Sequence, residues 1–194
     1  MTDSLVSVLF SLGAYLSGSV MFAPIVCRLW SLPNPRAQGS GNPGATNVYR
    51  IGGWLPAGLT LLLDAAKGAL PVYAAAAYGL GIIPQAFIGL CAITGHMLPV
   101  FARFQGGKGV ATALGAGVAL APATTLILAA IWGLIVWRWR ISSLASVCAV
   151  LAGPVISALL EPDALPLFGL LALLILVRHR DNLIRLAQHR EPPV

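Results

Sequence analysis

The sequence predicts an all-α polytopic membrane protein, and three observations support this fold class. Of its 194 residues, 58% are hydrophobic and only 9% are charged, whereas about 25% of an average soluble domain is charged. The apolar residues occur in long runs, and a bilayer crossing needs about 20 of them. The basic residues lie almost entirely between these runs. A water-soluble globule and a disordered chain are both excluded, because the first needs a charged surface and the second low hydrophobicity.

Six apolar runs follow one another along the chain. They cover residues 4–27, 51–79, 82–102, 109–137, 141–160 and 164–177. The breaks between them are a long Gly/Pro/Asn-rich loop, several short polar turns and an acidic turn at Glu161 and Asp163. Since Gly and Pro mark turns and only helices satisfy their own backbone in lipid, we expect helical runs and looped breaks.

The distribution of charge predicts the topology. All Lys and Arg residues except Lys67 fall into four clusters, which are Arg28/Arg36/Arg50, Arg103/Lys108, Arg138/Arg140 and Arg178/Arg180/Arg185/Arg190. The positive-inside rule places all four in the cytoplasm, so an even number of crossings separates neighbouring clusters. The count is seven transmembrane helices, with the N-terminus outside and the C-terminus cytoplasmic. Residues 109–137 are short for two crossings, so two short helices and a re-entrant hairpin both fit.

The loop at residues 39–50 has the composition of an anion site. It reads GSGNPGATNVYR. Glycines permit close backbone approach, successive N–H groups can surround an anion, and an arginine suits phosphate. A plain connecting loop explains the same residues equally well. A dinucleotide-binding fingerprint is excluded, because no strand precedes the glycines.

Two further segments contain groups suited to anions. Residues 95–112 read GHMLPVFARFQGGKGVAT, in which a Gly-Gly-Lys-Gly turn opens an apolar helix, and such a helix start attracts anions. A Walker A motif is excluded, because position 102 is Ala and position 109 is Gly. His96 is either a substrate ligand or a hydrogen-bonded residue at a helix end, and Lys108 is either a ligand or a snorkelling lysine.

Residues 178–186 place His179, Asn182 and Arg185 on one helical face. The alternative interpretation is a basic helix that binds lipid headgroups. The residues after Arg190 carry no motif. Asp64 and Lys67 lie within an apolar run and can pair at this spacing, which favours a functional or a structural ion pair.

In combination, these motifs resemble those of the bacterial acyl-phosphate:glycerol-3-phosphate acyltransferase family. The family patterns G-S-G-N-P-G-A-T-N-x-x-R, G-H-x-x-P-V-F-x-x-F-x-G-G-K-G-V-A-T and H-x-x-N-[IL]-x-R-L match residues 39–50, 95–112 and 179–186. The D-x-x-K-G and S-L-x-S patterns match residues 64–68 and 143–146. The matches occur in order and cover essentially the whole chain.

The resemblance implies an activity and a site. The expected reaction transfers a fatty acyl group from acyl phosphate to the 1-hydroxyl of sn-glycerol 3-phosphate, giving lysophosphatidic acid and inorganic phosphate without a metal or cofactor. The implied catalytic residues are Ser40, Arg50, Lys108, His179 and Asn182. The implied substrate-binding residues are Gly41, Asn42, Gly44, Thr46, Asn47, His96, Gly106, Gly107, Gly109, Ser143, Ser146 and Arg185, with Asp64 and Lys67 as a supporting ion pair.

The resemblance leaves the general base open, since either His179 or a donor phosphate oxygen can take the proton. It implies that residues 1–194 form one integral-membrane acyltransferase domain. We expect a monomer in the bacterial inner membrane, with its active site facing the cytoplasm and no nucleic-acid partner. Two other classes compete, a small transporter of anions or phosphate esters and a non-catalytic lipid-binding protein. The clustering of polar motifs at one membrane face favours the enzyme, because transporters usually bind near the midplane.

Overall fold

The structure, a computed structural model, describes residues 3–194, and every regular element in that range is helical. The chain divides into two compact units at Leu120 and Ala121. Unit 1 contains α1 (Asp3–Gly18), α2 (Phe22–Leu29), α3 (Ala45–Gly52), α4 (Trp54–Ala77), α5 (Ile82–Met97) and α6 (Val110–Leu120). Unit 2 contains α7 (Pro122–Trp139), α8 (Ser142–Leu160), α9 (Leu165–Arg178) and α10 (Arg180–Ala187).

The first apolar run forms two helices, α1 and α2, separated by a short break after Gly18. Within the break, the main-chain N–H and the hydroxyl of Ser19 both donate to Tyr15 O, at 2.9 and 2.8 Å. These bonds satisfy backbone groups that would otherwise be unpaired in lipid. The two helices together provide a 26-residue segment, Ser4–Leu29, that is long and apolar enough to cross a membrane.

Small residues bring α4 and α6 of unit 1 into close contact. A Cβ added at Gly68 in α4 would lie 2.1 Å from Thr112 O, and one added at Gly115 in α6 would lie 1.8 Å from Ala65 O. Neither distance is possible for a real side chain, so only glycine allows this crossing. Close crossings at small residues are typical of membrane helices. The crossing holds the start of α6, and the loop before it, against α4.

Unit 2 is organised by a helix cap and a bend. Both oxygens of the Glu161 carboxylate accept hydrogen bonds from the first turn of α7, from Ala123 N at 3.3 Å and Thr124 N at 2.8 Å. These N–H groups have no partner inside the helix, so a carboxylate there is stabilising. At the other end of the unit, α9 and α10 meet at His179 with a bend of 63°.

The structure supports five or six candidate membrane spans within the described residues. Five are Ser4–Leu29, Trp54–Ala77, Ile82–Ala102, Pro122–Trp139 and Ser142–Leu160, and the bent segment from Pro162 to Ala187 is a sixth. The remaining predicted crossing falls on α6, which has 11 residues. At ~1.5 Å per residue it extends about 16 Å, roughly half of the hydrocarbon core. The seven-span count and the orientation of the termini stay predictions; Met1 and Thr2 lie outside the described residues.

Candidate active site

Loop 1 of unit 1 (residues 30–44) is organised by the buried amide of Asn47. The Asn47 Oδ1 accepts a hydrogen bond from Ser40 N at 2.8 Å, and Nδ2 donates to Pro35 O and Gln38 O at 2.7 and 2.9 Å. A Cβ at Gly39, where φ is +65°, would lie 2.2 Å from the same oxygen. Asn47 therefore determines the path of the loop through three internal hydrogen bonds.

The exposed side of loop 1 carries the groups that could contact an anion. Ser40 and Gly41 are exposed, and Asn42 is half-buried. Thr46 and Arg50 follow in α3, four residues apart and therefore on one face of the helix, and both are half-buried. Hydroxyl, amide and guanidinium donors thus lie in and directly after one short loop, an arrangement suited to phosphate.

Loop 2 of unit 1 (residues 98–109) packs against the end of α5. The main-chain N–H of Gly107 donates to His96 O at 3.1 Å. A Cβ at Gly106 would lie 2.2 Å from His96 O, and one at Gly107 would lie 2.3 Å from His96 Nε2. Gly109, with φ of +82°, ends the loop. The glycines are therefore required for contact with His96, and Lys108 lies between two of them.

The two loops are joined by a hydrogen bond. The Arg36 Nη2 donates to Gln105 O at 2.7 Å, across 69 residues of sequence. The glycine-rich loop 1 and the Gly-Gly-Lys-Gly turn of loop 2 consequently lie side by side. Both segments are predicted from the sequence as candidate anion sites, whereas Arg36, which links them, is predicted only to set the membrane topology.

A buried ion pair lies in α4. The Lys67 Nζ is 2.7 Å from Asp64 Oδ1 and donates to Val20 O at 2.7 Å, so it also ties α4 to the break between α1 and α2. The His96 Nδ1 lies 3.6 Å from the same Asp64 oxygen. The structure thus brings together three predicted residues from two separate motifs.

His179 of unit 2 lies at the junction of α9 and α10 and is buried. Its Nδ1 is 2.8 Å from Ile175 O. Because a carbonyl oxygen only accepts hydrogen bonds, Nδ1 carries a hydrogen in this geometry and Nε2 is the basic nitrogen of the neutral ring. The imidazole therefore lies where the bend between the two helices interrupts the main-chain hydrogen bonding.

The predicted residues Ser143, Asn182 and Arg185 share one partner, Glu191. Ser143 Oγ and Arg185 Nε each donate to the Glu191 carboxylate at 2.8 Å, and Asn182 Nδ2 also donates to it. Burial alone acts to raise the pKa of Glu191. The hydrogen bonds from these three residues outweigh that effect and hold its pKa below the ordinary value.

Glu191 is not among the site residues predicted from the sequence. The three donors come from residues 143, 182 and 185, and only folding brings them to one carboxylate. The sole sequence signal is an acidic residue beside a basic face that needs a counter-charge.

Ser146, also predicted to bind substrate, has an internal role in unit 2. Its hydroxyl donates to Ser142 O at 2.9 Å and accepts a hydrogen bond from Trp132 Nε1 at 3.1 Å. It therefore connects α8 to α7. Small hydroxyl residues often have this packing function in membrane helices.

Comparison with known proteins gives consistent matches over most of the chain. A family model described as glycerol-3-phosphate acyltransferase matches residues 8–189. A glycerol-3-phosphate acyltransferase from Hahella chejuensis is 56% identical over 178 residues, which are 92% of each chain. One from Shewanella woodyi is 46% identical over 180 residues, which are 93% of this chain and 89% of the relative.

Two solved structures also match. They are crystal structures of PlsY (YgiH), an integral membrane glycerol 3-phosphate acyltransferase, in its glycerol 3-phosphate and lysophosphatidic acid forms. Their TM-scores are 0.91 and 0.87 at 36% identity. The first match covers 97% of this chain and 96% of the other, and the second covers 97% and 95%.

Proposed function

The chain belongs to the glycerol-3-phosphate acyltransferase family and transfers an acyl group to glycerol 3-phosphate, and from this premise we propose that the acyl donor is a fatty acyl phosphate. One observation carries the proposal: the hydrogen bond from Arg36 to Gln105 O joins loop 1 to loop 2. Two adjacent loops suited to phosphate match a reaction between two phosphate-bearing substrates. A thioester donor presents no phosphate at its acyl carbon.

The site residues are proposed to divide between the two substrates. The donor phosphate binds to the N–H groups and polar side chains between Ser40 and Thr46. Arg50 and Lys108 of unit 1 bind glycerol 3-phosphate. For His179 and Asn182 of unit 2, the match of residues 179–186 to the family pattern supports a role with the same substrate. Cations between two phosphates reduce their mutual repulsion and allow the hydroxyl to approach the acyl carbon.

The roles proposed for the other predicted ligands follow from the hydrogen bonds that they make. Asn47, Ser143, Ser146 and Arg185 have a supporting role, because their polar groups bind other parts of the chain. Asn182 Nδ2 donates to Glu191 as well, so the atom of Asn182 assigned to the substrate is Oδ1. The residues whose main chain is proposed to contact phosphate are Gly41, Asn42, Gly44, Gly106, Gly107 and Gly109.

The proposed chemistry is direct acyl transfer. The 1-hydroxyl oxygen attacks the carbonyl carbon of the mixed anhydride, the bond from that carbon to the phosphate oxygen breaks, and inorganic phosphate leaves. We assign the hydroxyl proton to the departing phosphate, so no covalent enzyme intermediate is needed. The protein contributes by holding the two substrates in contact, and the Asn42 amide or loop N–H groups stabilise the developing oxyanion.

Phosphate release by the protein purified in detergent tests the donor. Mixing it with palmitoyl phosphate and sn-glycerol 3-phosphate should release phosphate only when both are present, with lysophosphatidic acid as the second product. Palmitoyl-CoA and a palmitoyl carrier-protein thioester serve as comparison donors. Acylation of glycerol 3-phosphate by a thioester, with none by acyl phosphate, would overturn the proposal.

The proton assignment has a separate test in His179→Ala. If the donor phosphate takes the proton, this variant should raise the KM for glycerol 3-phosphate and retain substantial turnover at saturation. A turnover that falls by about 10²–10⁴-fold and recovers as pH rises would instead assign the base to His179.

We further infer a topology and an assembly state. Residues 1–194 act as one domain, which is a monomer in the bacterial inner membrane. In this topology α6 is a short seventh crossing, and the basic loops lie in the cytoplasm. Cysteines introduced at exposed Ala37 and Asp163 test the orientation in intact cells. A membrane-impermeant maleimide should label the cysteine at position 163 and not the one at position 37, and the reverse pattern would refute the proposed orientation.

A further inference from the structure

Asp64 is a buried carboxylate that the proposed chemistry does not use. Its side chain is 1% exposed and lies within the Trp54–Ala77 span. A charge near the centre of a membrane helix costs ~2.5–3.5 kcal/mol on insertion scales. The pairing with Lys67 at 2.7 Å reduces that cost, but a pair of apolar residues would avoid it altogether. The pair therefore calls for a role that requires charge.

The third member of the cluster, His96, connects Asp64 to loop 2. One edge of its ring, at Nδ1, lies 3.6 Å from Asp64 Oδ1. The other ring nitrogen, Nε2, lies so close to Gly107 that a Cβ there would be 2.3 Å away. The main chain continues the contact, because Gly107 N donates to His96 O at 3.1 Å. The ring thus lies between the carboxylate and the glycine that precedes Lys108.

We propose that Asp64 is a positioning residue for glycerol 3-phosphate, acting through the His96 ring on the Gly106–Lys108 turn. A carboxylate facing Nδ1 favours one ring orientation and one tautomer. The ring in turn limits where Gly107 can lie, and with it the direction of Lys108. Lys67 contacts the same Asp64 oxygen as His96 and anchors the carboxylate through its own bond to Val20 O. The inference rests on the proposed role of Lys108 in binding glycerol 3-phosphate.

Asp64→Asn tests the proposal, because it removes the charge and keeps the shape. The KM for glycerol 3-phosphate should rise roughly tenfold, while the KM for acyl phosphate and the kcat stay within about twofold. The matched control is Asp163→Asn, which removes an exposed carboxylate and should leave all three constants unchanged. An effect of Asp64→Asn on kcat alone would mean a smaller active fraction and would overturn the proposal.

A double-mutant cycle tests the contact between ring and loop. Gly107→Ala should raise the KM for glycerol 3-phosphate, because its Cβ has no room beside His96 Nε2. In a His96→Ala background the space is vacant, so the same substitution should add little. Effects that multiply in the double variant would refute the coupling. This cycle decides the question by itself if Asp64→Asn cannot be purified in a folded form.

Lys108→Ala separates the inference from the function on which it rests. If this variant raises the KM for glycerol 3-phosphate and Asp64→Asn does not, only the positioning role of Asp64 fails. If Lys108→Ala leaves that KM unchanged, the proposed role of loop 2 fails and the inference fails with it.

Discussion

Replacing Glu191 by Gln measures how strongly the C-terminal segment (residues 188–194) is held in unit 2. The Glu191 side chain is 5% exposed and accepts hydrogen bonds from Ser143, Asn182 and Arg185. Hydrogen bonds from buried donors to a charged group contribute ~1.5–3 kcal/mol each. The Arg185 side chain is 37% exposed, so its pair is counted at no more than about 1 kcal/mol. Gln retains one carbonyl acceptor, which leaves an expected loss of about 2 kcal/mol, or roughly 30-fold in the unfolding equilibrium.

The assay is denaturant unfolding in detergent, followed with a thiol-reactive dye. Cys27 is buried and Cys148 half-buried in α8, so dye reaction reports loss of structure in each unit. Asp181→Asn is the matched control, because it removes an exposed carboxylate in the first turn of α10 and should cost about 0.3–1 kcal/mol, less than the loss expected at Glu191. If the free energy of unfolding of Glu191→Gln lay within about 0.5 kcal/mol of the wild-type value, the size of an ordinary surface effect, the energies assigned to the three hydrogen bonds would be refuted.

The same residue predicts a pH dependence with a definite sign. Because the pKa of Glu191 is lower in the folded protein than its ordinary value of 4.5, its stabilisation is complete above that value. It is lost as pH falls through the lower, folded-state pKa. Wild type and Glu191→Gln should therefore differ by a constant amount near neutral pH and converge in acid. A difference that grows as pH falls would contradict this reasoning.

Three further predictions concern other parts of the chain. Gly68→Ala should destabilise unit 1 by about 1–3 kcal/mol in denaturant unfolding, since its Cβ would lie 2.1 Å from Thr112 O. Gly58→Ala, with no atom within 4 Å of its Cβ, is the control, and equal effects would refute the close-crossing argument. Asn47→Ala should raise the KM for acyl phosphate roughly tenfold, because loop 1 loses three hydrogen bonds; an unchanged KM would show that these bonds do not shape the site. Glu161→Gln should cost about 0.3–1 kcal/mol of stability by weakening the cap on α7, with kcat/KM unchanged, and altered kinetics would count against a purely structural cap.

Much of the fold could be predicted from the sequence, because lipid imposes a simple rule. A segment that crosses hydrocarbon must satisfy its own backbone, so apolar length identifies helices and charge identifies loops. The rule does not decide between alternatives at residues 109–137, which are too few for two crossings of ordinary length. There the chain divides into α6 and α7, and the 11 residues of α6 are too few for the length criterion.

The sequence by itself determined the helical architecture, the segments proposed to bind anions and the family, since each depends on residues close together in the chain. Tertiary structure alone decided which of those residues support one another. Ser143 and Glu191 are 48 residues apart, and Arg36 and Gln105 are 69 apart. His96 meets Asp64 only because α4 and α5 pack in one unit. Such pairings depend on how helices cross, which small residues at a few positions permit and no local pattern encodes.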